Sequence, residues 1–491
     1  MSWTIITIGT LYLLVLLALG IVARRANERI AAGSTNEFLL EYYLAGRNLG
    51  WVALLFTSAA TFYSVGTFIG APGLAYSAGY VWPLAVQAQH LTLAVLFLVA
   101  GVKFAIVARN LGFVTPLDFL RARYRNDWVV YIGALGTLFF LTIYIAPQFV
   151  GGARIFEAVT GLPYRQMLFV FLVVVAAYTL YGGFRAVVLT DILQGVLMTV
   201  GAVLIWYFLV KGTGGFRTVQ ENLIRIDPEL VRLGEGSFAT VISGYLVFSI
   251  AVLGLPHMSV RAMAYRSSRD MYRAVLYGAV LATIFSSTFM LLGTLARGLF
   301  PDLEAPDLAI PMLITTFVPP VLAGLLLMAP LAAIMSTIDS MLLLNTSVVA
   351  KDIYLNYVNP RATVRQIRVL SAISGVAITL IVLYFALTPP PFLENLVIYA
   401  LGGLACTFWA PFVFGLYWRR GNQYGALAAM VLGIPSYILI DRLVDTGSLQ
   451  ALVIALPVAI GVYVVASLLT PAPPPEVIRQ FWGKAEAPQT R

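Results

Sequence analysis

Charge is what this 491-residue chain has least of: Asp, Glu, Lys and Arg make up 11% of it, against 60% apolar residues. Soluble domains carry about a quarter charged residues, so a soluble globular protein is excluded. There is one cysteine, Cys406, so no internal disulfide can form, and there are only two histidines, His90 and His257. No metal-ligand cluster, nucleotide loop or nucleophile motif is present in the pattern. An enzyme would lack its working residues, and an organic cofactor would lack a motif to hold it. The surplus of 31 basic over 22 acidic residues does not call for nucleic acid, because its distribution follows membrane topology.

In place of charge stand long apolar runs. A spanning helix needs about 20 mostly apolar residues, and the chain offers thirteen such segments, near 3–23, 51–75, 80–104, 128–150, 167–182, 187–210, 238–258, 274–298, 314–345, 367–387, 395–417, 423–441 and 449–469. Continuous runs exclude a β-barrel, whose strands alternate. An all-α integral membrane protein is therefore expected, with one transmembrane domain over 1–470 and a disordered, Pro-rich cytoplasmic tail over 471–491. With the N-terminus outside, 23 of the 31 basic residues fall on the cytoplasmic side, Arg261 and Lys351 among them. This bias favours N-out and C-in. The first segment has no basic leader and ends in Arg24-Arg25, so it is expected to be retained.

Two segments read poorly as straight helices. TSAATFYSVGTFIGAPGLAYSAGY, from Thr57 to Tyr80, combines four glycines, Pro72 and many hydroxyls, and SIAVLGLPHMSVR carries Gly254, Pro256 and His257. Gly and Pro at membrane depth are tolerated where the freed backbone lines a cavity or is satisfied by neighbours; packing through small residues is the rival explanation. Two interruptions five spans apart suggest a duplicated, inverted unit.

In LAAIMSTIDSMLLLNT (331–346), Ser336, Thr337 and Asp339 sit within an apolar run. A charge at mid-membrane costs ~2.5–3.5 kcal/mol on insertion scales, so an intramembrane Asp points to ions or substrate. Ala333, Ser336 and Thr337 share one helix face. Carbonyls freed near Ala60 and Tyr63, facing these hydroxyls, would make an uncharged all-oxygen site for a hard monovalent cation. Equally, the hydroxyls could bond back to their own helix. His257 and His90 are read as structural hydrogen-bonding groups ahead of proton relays.

YYLAGRNLG, QFVGGARIFE (148–157), YGGFRAVVLTDILQG (181–195), GLPHMSVRAMAY (254–265), FPDLEAPDLAIP (300–311) and APLAAIMSTIDSMLL (329–343) together resemble the sodium/solute symporter family, most of all its pantothenate branch. The resemblance runs nearly end to end. It implies a leucine-transporter-like fold of 13 transmembrane helices. Two inverted five-helix repeats, at about 51–210 and 238–417, would form the core. It further implies sodium as coupling ion and a small organic anion, pantothenate, as cargo. A symporter for another monocarboxylate or an amino acid (acetate, lactate, proline-like) is the alternative. Such a carrier would sit multi-pass in the cell (inner) membrane, surrounded by lipid.

By position the resemblance assigns the sodium site to the carbonyls of Ala60, Tyr63 and Ala333 and the hydroxyls of Ser336 and Thr337. Asp191 falls on the sodium release path, with pairing to Arg185 at the interface as the rival reading. Thr67, Tyr144, Gln148, Phe248 and Val252 surround the expected substrate pocket. Asp339 departs from the pantothenate branch, where Asn is expected. It stands as a second cation ligand, a proton site or a buried partner for hydroxyls.

Overall fold

A computed structural model describes residues 3–30, 35–212, 216–388, 393–445 and 449–483. Among these residues the architecture is all-helical, and the only extended pairing is an isolated bridge between Leu49 and Tyr265. Among the described residues, ten helices are long and apolar enough to cross a bilayer: Val81–Leu111, Asp127–Glu157, Gly183–Gly212, Ser237–Gly254, Ser268–Leu299, Pro320–Val358, Val364–Ala386, Leu393–Tyr417, Gln423–Leu443 and Ala451–Leu469. An eleventh crossing is the bent pair Trp51–Phe62 and Gly66–Ala78. The expected first and fifth spans are helical, but their apolar stretches, Thr7–Ala23 and Tyr164–Ala177, are shorter. The expected fifth and sixth spans meet at Gly183, whose φ of 64° with ψ of −169° favours glycine. The expected span 314–345 is divided too: Ala309–Phe317 is a separate short helix, and the crossing begins at Pro320.

Burial sorts these helices into centre and rim. In Pro320–Val358, 83% of the most apolar window is buried, and in Leu393–Tyr417 78% is, against 28% and 33% in the last two spans. An apolar helix with so little burial offers its surface to lipid. Small residues set the close approaches that membrane packing relies on. A Cβ on Gly293 would lie 2.2 Å from the Pro72 carbonyl oxygen, so the Ser268–Leu299 helix touches the backbone of the broken pair.

Both suspected interruptions are real breaks. The first bends by 61° at Tyr63, which has extended backbone angles of φ −81° and ψ 116°. The second falls at Leu255 (φ −96°, ψ 106°), between a tight turn ending at Gly254 and the helix Pro256–Ala264. Proline at the first helical position suits this restart, since its missing N–H has no partner to lose there.

The tail differs from expectation. Instead of disorder over 471–491, Pro475–Trp482 is a helix with Val477 and Phe481 buried, and 484–491 lie outside the described residues. Phe481 packs edge-on against Phe119 with centroids 5.7 Å apart, and the Arg123 guanidinium lies 5.0 Å from the Trp482 ring. Prolines dominate the local sequence here, but a short apolar face finds a slot between helices.

The Gly293 contact makes a test. Gly293→Ala should lower the thermal midpoint of the detergent-solubilised protein, because overpacking costs ~1–3 kcal/mol. Gly461→Ala, where nothing lies within 4 Å of the added methyl, should leave the midpoint unchanged or raise it.

Candidate ion and substrate site

A broken helix leaves backbone groups without helical partners, and in a membrane interior each must be satisfied by protein. Here the amides and the carbonyls are met by different helices. Gln148, from the Asp127–Thr160 helix, accepts from the Val65 N–H at 2.9 Å. Ser64 Oγ accepts from the Gly66 N–H at 3.1 Å. On the carbonyl side stand two hydroxyls of the Pro320–Val358 helix. Ser336 Oγ lies 2.7 Å from Ala60 O and 2.9 Å from Ala333 O. Thr337 Oγ1 lies 3.5 Å from Ala60 O, 3.4 Å from Tyr63 O and 2.9 Å from Ala333 O.

All five residues are buried. Five oxygens therefore converge with only two hydroxyl hydrogens to share among three carbonyls. Such an excess of acceptors, with no net charge, fits a hard monovalent cation. The rival expectation, back-bonding to the helix's own carbonyl, is met by the same hydroxyls through Ala333 O. Bonding inward and bonding across the break coexist.

Asp191 is buried and accepts from Thr57 Oγ1 at 2.6 Å. It does not pair with Arg185, which binds Glu41 at 2.8 Å. Instead Arg261 Nη2 lies 3.9 Å from its Oδ2. Arg261, expected in a cytoplasmic loop, is 1% exposed. It donates to Ser340 Oγ and, at 3.0 Å, to the His257 carbonyl. Ser340 in turn meets Thr61 Oγ1 at 3.0 Å. Trp51–Phe62 and Pro256–Ala264, one segment from each broken helix, are thus tied through one buried polar chain. Asp339 is also fully buried and accepts from Thr179 Oγ1. Lys351, likewise expected at a cytoplasmic loop, is buried against Asp118 and Asp352.

Of the expected pocket residues, Thr67, Tyr144 and Phe248 line one small cavity together with Ser64, Gln89 and Glu394. Gln148 is engaged with the Val65 backbone, and Val252 is buried in the turn before the second break; neither lines this cavity. His90 makes the structural bond expected of it, 2.8 Å from Ser286 Oγ. Beyond the start of the Leu393–Tyr417 helix a wider cleft of about 250 Å³ is lined by Arg154, Glu304, Asp307 and Leu393, among others. Asp307, outside the spans, is pushed up to about 7 by burial, with the Leu393 N–H and the Arg154 charge pulling the other way.

A profile of the sodium:solute symporter family matches residues 42–433. The chain belongs to this family. It is 36% identical to the sodium/pantothenate symporter of Haemophilus influenzae, over 83% of this chain and 85% of that one. To the sodium/pantothenate symporter of Escherichia coli it is 37% identical, over 88% and 89%. The osmoregulated proline transporter OpuE of Bacillus subtilis is 30% identical over 81% of this chain and 82% of its own length. A solved structure of a Na+-coupled sialic acid symporter, substrate-bound and outward-open, superposes with a TM-score of 0.80 at 19% identity. That match covers 96% of this chain and 99% of the other. The nucleobase-cation symporter Mhp1 follows at 0.57 and 16% identity, over 90% and 97%. The fold is leucine-transporter-like, and this symporter is a multi-pass membrane transporter rather than an enzyme.

Sequence reasoning missed three polar residues that the symporter buries near these sites. Arg261 was counted among the cytoplasmic basic residues, and Glu394, just before the run beginning at 395, was not singled out. Gln89 stood unremarked beside His90. The available signal was an intramembrane Arg in reach of an intramembrane Asp.

Thr57 provides a check on the polar chain. Thr57→Val removes a hydrogen bond to a buried carboxylate, worth ~1.5–3 kcal/mol, and should lower the thermal midpoint. Thr57→Ser should restore it.

Proposed function

We propose that this symporter couples inward movement of sodium to import of pantothenate. The observation that carries the reading is the five-oxygen cluster at the first break. It joins the broken helix to the most buried span, so an ion held there would bind the two together. Sodium would replace the hydroxyl hydrogens as the positive partner of the Ala60, Tyr63 and Ala333 carbonyls, with the Ser336 and Thr337 oxygens as ligands. On release, the hydroxyls return to the carbonyl hydrogen bonds already described. A carrier needs that reversibility, and an uncharged site favours it.

Asp191 is assigned to the sodium release path, where Arg261 balances its charge, and Asp339 to a second polar station beside it. Thr67, Tyr144 and Phe248 would contact substrate. Gln148 acts by holding the Val65 amide, and Val252 by backing the second break. The cavity measures only about 10 Å³, far below the ~300–1,000 Å³ typical of ligand pockets. Substrate entry therefore requires its walls to part, as rocking of one helical repeat against the other would do. Repeats at about 51–210 and 238–417 within a domain over 1–470, thirteen crossings, and an N-out, C-in orientation in the cell (inner) membrane complete the proposal. Sodium is the only coupling partner required, and no organic cofactor enters the cycle.

Pantothenate is favoured by the two relatives at 36% and 37% identity. Proteoliposomes with an imposed sodium gradient should accumulate labelled pantothenate, and unlabelled pantothenate should compete better than proline, acetate or lactate. Uptake that survives collapse of the gradient would overturn the coupling. Ser336→Ala and Thr337→Ala should each raise the half-saturating sodium concentration about tenfold, as expected for losing roughly 1.4 kcal/mol of binding; unchanged sodium dependence in both would remove the site.

A further inference from the structure

The small cavity described above holds two buried acceptors that no donor meets. Glu394, in the first turn of the Leu393–Tyr417 helix, is 2% exposed, and its Oε2 has no hydrogen-bond partner among the described residues. Gln89 is 3% exposed, and its Oε1 is likewise without one. Both residues line the same cavity, with the hydroxyl-bearing Ser64, Thr67 and Tyr144. The Glu394 carboxylate lies directly on the start of the outer half of the broken helix. A Cβ on Gly66 would stand 2.3 Å from its Oε2, so glycine is required for this approach. A buried carboxylate is costly unless paired. The charged neighbour acting on Glu394 is Asp307, which has the same sign.

We propose that Glu394 and Gln89, with the hydroxyls around them, form a second monovalent cation site that takes sodium. Size favours an ion over part of the organic substrate. A cavity of about 10 Å³ is close to that of one water, which a dehydrated sodium ion also fits. The donor set is all oxygen and carries one negative charge, so one monovalent cation balances it. A divalent ion would leave a positive charge buried. This site lies on the opposite side of the break from the Ser336 and Thr337 site: one uses the carbonyls that end the inner half-helix, the other the groups that begin the outer half. The cleft bearing Glu304 and Asp307 reaches Leu393, whose N–H donates to Asp307 at 3.4 Å. For an anionic substrate the consequence is an order of events: the second sodium neutralises Glu394 before the anion can share its cavity. This ordering rests on the proposed import of an organic anion; the ion site does not.

Equilibrium binding of radioactive sodium to the purified full-length protein, at fixed pH and without organic substrate, tests the site independently of which solute is carried. The unmodified protein should bind two sodium ions. Glu394→Gln should bind one, while Ser336→Ala weakens the other. One ion bound by the unmodified protein, or two retained by Glu394→Gln, would overturn the proposal. Counting ions on the unmodified protein keeps the test valid if Glu394→Gln does not fold, and Gln89→Leu supplies a second variant expected to weaken the same ion about tenfold. In liposomes, proton uptake with substrate that Glu394→Gln abolishes, with sodium binding intact, would make Glu394 a proton site and also overturn it. Failure of pantothenate to accumulate would overturn the assigned substrate and leave the ion count standing.

Discussion

The structure depends on one constraint: backbone groups released by a helix break inside an apolar bundle must find partners. An unsatisfied amide or carbonyl at that depth costs several kcal/mol, so the break at Tyr63 exists only because other helices complete it. Gln148 meets an amide after the break, while Ser336 and Thr337 meet carbonyls before it. These contacts fix the Asp127–Thr160 and Pro320–Val358 helices against the broken one. In the proposed cycle they would also make that junction responsive to a cation, because the groups doing the holding are the ones a cation would use. The same deficit that requires support would then supply the proposed site.

Polar groups on the two sides of the break are balanced differently. Near the segment before the break, Asp191 faces Arg261, and the guanidinium continues through Ser340 to Thr61. Near the segment after it, Glu394 meets no such cation among the described residues and lies near another carboxylate. Buried charges persist when paired and hydrogen-bonded. Asp191 has a counter-charge within the chain, and Glu394 has room for an exchangeable one in the proposed second site. For a carrier, a fixed counter-charge on one side and an exchangeable one on the other gives ions a reason to enter and a means to leave.

Much of the fold was legible in the sequence, because what makes it legible is local. Long apolar runs, interrupted by Gly and Pro beside clustered hydroxyls, located the spans and both breaks, since backbone stiffness and hydropathy act within a few residues. Spacing put Ala333, Ser336 and Thr337 on one face for the same reason. Errors arose where neighbours in sequence mislead. Arg261 and Lys351 looked like loop charges and are buried with carboxylates. The Pro-rich tail looked disordered, yet Phe481 docks on Phe119, a residue far away in sequence.

Composition and periodicity alone thus determined that this is a helical membrane protein with two broken helices and a hydroxyl-bearing central span. Tertiary structure decided which polar groups have partners: Asp191 with Arg261 rather than Arg185, Gln148 with a backbone amide rather than open pocket, and Glu394 Oε2 and Gln89 Oε1 with no donor among the described residues. The reason is physical. Burial of an apolar run follows from its own residues, whereas the cost of a buried polar atom depends on what another helix brings within hydrogen-bonding reach.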